Sequence, residues 1–173
     1  FYYAYNTLGQ LEKTKYEDGT YEQNTYDDNG NIIETIDRDG NKKVFTYNSL
    51  NLATKIETKD LNGTVTSTTK ITYGRFETPI EIIGRDSSLT QLYKYTYAYN
   101  GQGLVTQFDQ YIGTNTSNKH YKVEYTYDKA NNLDTLAFYN DTALLKTLDY
   151  NPVDNNTYKC IESNVKDGTT YIA

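Results

Sequence analysis

A tandem repeat of about 21 residues limits what this chain can fold into more than any other feature of its sequence. Each copy except the degenerate one at Tyr73 opens with Tyr-Asn or Tyr-Asp, and the first three openings are 21 residues apart. Repeats this short are supersecondary units that bury apolar surface only against neighbouring copies. We call the opening residues the leading tyrosines, and they are Tyr5, Tyr26, Tyr47, Tyr73, Tyr99 and Tyr127, with a further unit near Tyr150.

The fourth position after the leading tyrosine holds only two residue types in five of the six copies. Glycine and asparagine are the residues that accept a positive φ most readily, so this position predicts the left-handed residue of a tight hairpin turn. The Asn or Asp after the tyrosine fits the same turn, because its side chain can accept a hydrogen bond from the backbone two residues on. Five copies carry Gly9, Gly30, Asn51, Gly103 and Asn131, and the degenerate copy at Tyr73 carries Glu77.

A second turn is predicted about halfway along each unit. Asp-Gly and Asn-Gly between alternating stretches are the strongest short-range hairpin signal. These pairs are Asp18-Gly19, Asp39-Gly40, Asn62-Gly63 and Asp167-Gly168, with looser polar versions near Asp86-Ser87-Ser88 and at Asn140-Asp141.

Between the turns the side chains alternate with a period of two, which is the period of a β-strand. Tyr93, Tyr95, Tyr97 and Tyr99 share one parity, and Tyr121, Tyr125 and Tyr127 repeat the pattern further on. We therefore predict an all-β fold with almost no helix: an antiparallel β-meander of tandem hairpins with 12 to 14 strands. The meander would form a curved single-layer sheet or an open barrel or shell segment, as one domain over residues 1–173, with the two tyrosine strands adjacent.

Tyrosine is the main hydrophobic material of the chain. Leu, Ile, Val and Phe together supply 35 of 173 residues, whereas tyrosine alone supplies 20. A tyrosine ring can bury on the order of 150–250 Å² while its hydroxyl stays hydrated. Two interpretations of the tyrosine rows follow. The rings are core, or they are a platform for stacking on sugars or for receiving a peptide, and the candidate ligand-facing residues are then Tyr93, Tyr95, Tyr97, Tyr99, Tyr121, Tyr125 and Tyr127.

The charge of the chain bounds its partners. A net charge of −6 argues against nucleic acid and against an anionic membrane surface, because both require clustered Lys and Arg. No run of the sequence is long and apolar enough for a membrane-spanning helix. The single Cys160 cannot form an internal disulfide, and it does not decide the compartment.

No sequence motif predicts a catalytic, metal or cofactor site. His120 is the only histidine, so we expect a surface residue near the start of a strand rather than a catalytic base. The acidic stretches at residues 27–31 and 37–41 lack the ligand spacing of a calcium loop and coincide with turns. There is no phosphate-binding or dinucleotide-binding glycine motif. The 23 acidic residues leave a carboxylate pair for glycoside hydrolysis as an open alternative.

The motif Tyr-Asp/Asn-x-x-Gly-Asn/Gln-Leu/Ile resembles the YD-repeat, or RHS-repeat, of bacterial surface and toxin proteins. Tyr26 to Ile33 is the best match, followed by Tyr5 to Leu11. The resemblance implies a β-meander wound into a spiral or shell, and it brings no catalytic residues. The self-cleaving motif of such shells has no convincing counterpart here, and residues 150–154 resemble it only weakly. The chain is also similar to exported single-sheet, porin-like bacterial domains of about its length.

The functional expectation is a non-enzymatic structural or scaffold module of an exported or cell-surface bacterial protein. The alternative is a domain that binds a glycan or peptide through its aromatic face or its long middle loops. Partners would be a glycan or another protein. We expect an extracytoplasmic location, whether secreted, periplasmic or as an outer-surface lipoprotein. The chain lacks an initial methionine, as expected of a fragment or of a mature form whose signal peptide has been removed.

Overall fold

The computed structural model describes residues 1–113 and 119–150 in full, together with the backbone of residues 152–154, 157–158, 161–166 and 169–172. No helix occurs in these segments, and thirteen strands lie between Tyr2 and Asp149. These strands are β1 Tyr2–Tyr5, β2 Leu11–Lys15, β3 Tyr21–Tyr26, β4 Ile32–Ile36, β5 Lys42–Tyr47, β6 Ala53–Lys59, β7 Val65–Tyr73, β8 Pro79–Asp86, β9 Gln91–Tyr99, β10 Val105–Ile112, β11 Lys119–Tyr127, β12 Leu133–Asn140 and β13 Ala143–Asp149.

Four shorter strands follow, and two of them join the main sheet. They are β14 Pro152–Asp154, β15 Thr157–Tyr158, β16 Ile161–Lys166 and β17 Thr169–Ile172. The strand order of the main sheet is the chain order from β1 to β13, followed by β16 and β17, while β14 and β15 form a separate pair. The order does not return to β1, and all of the registers given for the sheet are antiparallel. The all-β meander is therefore confirmed, whereas its curvature stays a prediction.

The chain divides into two compact units. The first contains residues 1–72 and 82–91, and the second contains residues 73–81 and 92–173. The prediction of a single repeat domain over residues 1–173 stays a prediction.

The turns follow one design at both predicted positions of the repeat. In the turn after Tyr5, the Asn6 N–H donates to the Gln10 carbonyl at 2.9 Å and the Gly9 N–H donates to the Asn6 carbonyl at 3.0 Å. The Asn6 side-chain oxygen accepts from the backbone N–H groups of Leu8 and Gln10. Asx closure of this kind recurs at Asp27, Asp37, Asn48, Asp60, Asp86, Asn100 and Asp128.

The left-handed residue is present wherever the repeat predicted it. Gly9, Gly30, Asn51, Gly103 and Asn131 all have positive φ, so the interpretation of the fourth position is confirmed. Glu77 is not an exception, because its φ of 57° lies in the same region. The turn after Asp86 places Leu89 there at φ 64°, although a bulky side chain is disfavoured in this conformation. At Glu77 and Leu89, the hydrogen-bonded geometry of the turn therefore overrides the conformational preference of the residue itself.

No apolar side chain of the described residues is fully buried. The apolar side chains are half-buried on the sheet or exposed, and the least exposed polar residue is Asp109, at 6%. Packing among neighbours on one face, rather than a dry interior, therefore holds the sheet together.

Three predicted features lie outside the described residues. They are the Asp167-Gly168 turn, Cys160 and the loop at 114–118.

Candidate functional site

The tyrosine rows of the second unit are on one face of the sheet, but the two strands are not adjacent. Strand β10 lies between them and pairs with both: Phe108 is opposite Tyr97 in β9 and opposite Val123 in β11. The prediction of direct tyrosine ladders between β9 and β11 is therefore wrong. The Phe108 ring occupies the intervening position, 5.1 Å from the ring of Tyr97 and 5.9 Å from that of Tyr95, measured between centroids.

The rings of this aromatic face are neither core nor fully exposed. Tyr93, Tyr95, Tyr97, Tyr99, Tyr125 and Tyr127 are half-buried, and Tyr121 is 37% exposed. Tyr93 and Tyr95 stack with their ring centroids 5.1 Å apart. Partial burial raises the pKa of Tyr97 above its ordinary value, with smaller contributions from Tyr99 and Tyr95. The rings thus stack in pairs along the strand and keep part of their surface exposed.

The opposite face of the same strands holds a polar network centred on Asp109. Its carboxylate accepts a 2.7 Å bond from Gln107 Nε2 and a 3.3 Å bond from Thr96 Oγ1. His120 Nε2 lies 2.8 Å from Asp109 Oδ1. Three strands therefore contribute to the most buried carboxylate among the described residues.

His120 lies between two carboxylates. Its Nδ1 is 3.4 Å from Asp141 Oδ1, the Asp141 N–H donates to the His120 carbonyl at 2.8 Å, and the ring stacks on Tyr111 at 4.4 Å. Burial raises the pKa of the Tyr111 hydroxyl, and the charge of Asp109 raises it further. Sequence reasoning expected a surface histidine, but the side chain is only 21% exposed. Both ring nitrogens therefore face carboxylate oxygens.

A second charged group lies beside this network. Lys122 Nζ donates to Glu124 Oε1 at 2.6 Å, and the Tyr139 hydroxyl donates to Glu124 Oε2 at 2.7 Å. The hydrogen bond from Lys122 lowers the pKa of Glu124, and the bond from Tyr139 lowers it further. The ammonium also lies 3.9 Å from the centroid of the Tyr139 ring. The charges in this part of the face are therefore paired with one another.

Neither a metal site nor a membrane helix is found in the part of the chain that the structure describes. No three His, Cys, Asp or Glu side chains there are arranged to hold a metal ion. No helix in the described residues is long and apolar enough to cross a membrane.

A pocket of about 360 Å³ lies at the degenerate turn, residues 74–78, within the second unit. The aromatic row reaches this pocket through Tyr97 and Tyr99. Its other lining residues are Gly74, Arg75, Phe76, Thr78, Ile80, Asn100 and Gly101. Among the pockets described, only this one is lined both by the aromatic face and by an irregular turn.

Sequence reasoning missed β10, the Asp109 network and the pocket. The strand could have been inferred, because residues 105–112 lie between two predicted turns and must cross the sheet. The contact between Asp109 and Asp141 through His120 depends on strand register, and no local sequence signal reports it. The pocket had one signal, the departure of Glu77 and Gly74 from the repeat pattern.

Comparisons with known proteins show the fold. Neither a family model nor a curated protein matches the chain. A chain of the TcdB2-TccC3-Cdc42 crystal structure is 14% identical with a TM-score of 0.66, over 98% of this chain and 9% of that one. A porin-like protein from Bacteroides uniformis ATCC 8492 is 13% identical with a TM-score of 0.47, over 99% of this chain and 84% of that one. The likeness to the TcdB2-TccC3-Cdc42 structure establishes that this β-meander is a known fold, and that the chain spans a small part of the larger protein.

Proposed function

We propose that the chain is a non-enzymatic scaffold module of an exported or cell-surface bacterial protein. The observation that carries the proposal is a hydrogen bond that recurs from unit to unit. The hydroxyl of a leading tyrosine donates to the backbone carbonyl six positions after the preceding leading tyrosine. These bonds are Tyr26 to Leu11, Tyr47 to Ile32, Tyr99 to Pro79 and Tyr127 to Val105, at 2.7 to 2.8 Å.

The recurring residues of the repeat therefore serve its own structure. The leading tyrosine secures the end of a hairpin, the Asn or Asp closes the turn, and the left-handed residue reverses the chain. The features that recur from copy to copy therefore form turns and pair strands. In repeat proteins of this kind, each copy and each interface between neighbours contributes separately to the free energy of unfolding. The resemblance to YD-repeat proteins supports the exported location.

The absence of catalysis is part of the proposal. His120 has carboxylate partners at both ring nitrogens, and Glu124 is held by Lys122 and Tyr139. A general base needs a position from which it can reach the proton of a substrate. Turnover of ester, glycoside or peptide substrates that disappears in a His120→Ala variant would contradict this part of the proposal.

Removal of one complete unit tests the scaffold role. Deleting residues 26–46 joins Thr25 to Tyr47 and keeps the order of strands and turns. We expect the shortened chain to fold as a β-protein with a lower midpoint of thermal unfolding, because neighbouring repeats contribute separately. A deletion of residues 26–36 is the control. It removes only part of one repeat, so it should unfold much of the compact unit that contains residues 1–72. Equal loss of structure in both deletions would contradict modular assembly.

A second candidate function is binding of a glycan or peptide to the aromatic face. The half-burial of Tyr93, Tyr95, Tyr97 and Tyr99 favours it, because the rings retain exposed surface. Sugar rings and peptide side chains can pack on such rings. The test is an array of glycans and peptides probed with the intact chain and with Tyr95→Ala. Loss of binding at an unchanged unfolding midpoint supports recognition, whereas equal binding by the variant contradicts it. Tyr2→Ala, at an exposed tyrosine of the first unit, is the control.

A further inference from the structure

The degenerate turn departs from the design of the other turns at three positions. Gly74 replaces the Asn or Asp whose side chain closes other turns, and a Cβ there would lie 2.6 Å from Ile80 Cγ2. Glu77 occupies the left-handed position at φ 57°. The Thr78 hydroxyl oxygen is buried and has no hydrogen-bond partner. Departures of this kind, in a chain that is otherwise locally consistent, concentrate at functional sites.

The apolar part of the pocket at this turn comes from three side chains. Phe76 is 39% exposed and Ile80 is 37% exposed, so the pocket floor is open to solvent. Tyr99 adds a ring whose hydroxyl is already bonded to the Pro79 carbonyl. The volume of about 360 Å³ falls within the range of small-molecule sites. The floor therefore suits a small ligand with one apolar face.

The polar groups of the pocket are all able to donate hydrogen bonds. They are the Thr78 hydroxyl, the Tyr97 hydroxyl, the Asn100 amide nitrogen and the Arg75 guanidinium. The Asn100 oxygen is occupied, because it accepts from the backbone N–H groups of Gln102 and Leu104. None of the four donors has an acceptor among the described residues.

No carboxylate lines the pocket. Glu81, in the strand that follows the turn, pairs with Lys94 at 2.7 Å. Glu77 is exposed in the turn itself and is absent from the pocket wall. The Arg75 guanidinium has no ion pair or hydrogen bond within the described part of the chain, and it lies 5.7 Å from the centroid of the Phe76 ring. The pocket therefore combines a cation and the neutral donors of Tyr97 and Asn100 with an apolar floor, and it suits a ligand that supplies acceptors and a negative charge.

We propose that this pocket binds a uronic acid residue of an acidic glycan. The apolar face of the sugar packs on Phe76 and Tyr99, and the carboxylate pairs with Arg75, whose guanidinium matches carboxylate geometry. Sugar oxygens accept from the Tyr97 hydroxyl and the Asn100 amide nitrogen. A peptide C-terminus supplies one carboxylate but no comparable ring of acceptors. The inference rests on the second candidate function and narrows it to one ligand class.

Titration calorimetry with a trigalacturonate oligomer and its fully methyl-esterified form tests the proposal. We expect the intact chain to bind the acidic oligomer, and Arg75→Gln to weaken it at least about tenfold, as loss of a hydrogen bond to a charged group does. Arg75→Lys should recover part of the affinity, because it restores the charge without the planar fork. Esterification of the sugar should weaken binding by a similar factor.

Two further variants separate the site from general effects. Tyr97→Phe removes one donor and keeps the ring, and it should weaken binding at an unchanged unfolding midpoint. Lys129→Gln removes the same charge at an exposed turn and should leave binding unchanged. Absence of binding at millimolar oligomer, or equal binding by Arg75→Gln, overturns the proposal.

Other outcomes distinguish this proposal from the function on which it rests. Binding of a neutral glycan that requires Tyr95 but not Arg75 overturns the uronate site and leaves the second candidate function standing. Binding of a peptide through its C-terminal carboxylate, dependent on Arg75, without binding of the oligomer also overturns it.

Discussion

The Tyr26 hydroxyl donates a 2.7 Å hydrogen bond to the main-chain carbonyl of Leu11, fifteen residues earlier in the chain. Leu11 begins β2 and Tyr26 ends β3, so the bond ties the open end of a hairpin whose other end is closed by the turn at Gly19. The same relationship at Tyr47, Tyr99 and Tyr127 explains why tyrosine, and not phenylalanine, leads each unit.

Replacing Tyr47 by phenylalanine should lower the free energy of unfolding by about 1 kcal/mol, because the Ile32 carbonyl loses its side-chain donor. The control is Tyr5→Phe, at the same repeat position, where the hydroxyl has no acceptor among the described residues and the side chain is 60% exposed. Urea unfolding followed by circular dichroism measures both. If both substitutions lower the free energy of unfolding equally, the hydrogen bond from the Tyr47 hydroxyl does not stabilise the fold.

Replacing Leu89 by glycine should raise the unfolding midpoint, since leucine at φ 64° is strained by roughly 1–2 kcal/mol. Leu89 is 74% exposed, so little burial is lost. The reverse substitution, Gly63→Leu at φ 81°, should lower the midpoint by a similar amount. No atom lies within 4 Å of a Cβ at Gly63, so crowding does not explain the loss. A lower unfolding midpoint for Leu89→Gly would contradict the claim that the backbone of Leu89 is strained.

Replacing Phe108 by alanine should destabilise the second unit more than Tyr93→Ala, since Phe108 contacts two tyrosine rings and lies at the centre of three strands. The expected loss for a half-buried ring is about 2–3 kcal/mol. Thr96→Ala, on the opposite face, should lower the midpoint less than Phe108→Ala, because it removes one donor to Asp109 and no ring contact. Thermal unfolding of the three variants orders their effects, and a smaller effect at Phe108 than at Tyr93 would show that β10 does not join the rows.

Acid should destabilise the turns that carry an aspartate after the leading tyrosine. A hydrogen bond from the Asn31 side chain lowers the pKa of Asp27 below its ordinary value, and one from Asn132 does the same for Asp128. A lowered pKa means stabilisation present above the unfolded value and lost as the pH falls through the folded value. Asp27→Asn should keep the turn, as Asn6 does, and should weaken the dependence of the midpoint on pH below about 4. An unchanged acid profile in Asp27→Asn/Asp128→Asn would contradict the contribution of these turns.

The sequence determined most of the fold because its main signals are local. Left-handed glycines, Asx-closing side chains and a period of two each act within a few residues, and the structure bears out all three at Gly9, Asn6 and Tyr95. Even Glu77 and Leu89 follow the turn positions that the repeat spacing required. Antiparallel pairing of successive strands then follows from short connections.

Only the tertiary structure decided which residues meet across strands. Phe108 separates the two tyrosine rows, and His120 finds Asp109 and Asp141, because register and the extra residue of each bulge set cross-strand partners. The donors of the pocket come from positions 75 to 100, and they converge only through strand pairing. Turns can be predicted from the sequence because their interactions are local. A site assembled from separate strands depends on distances between those strands, which the sequence pattern does not contain.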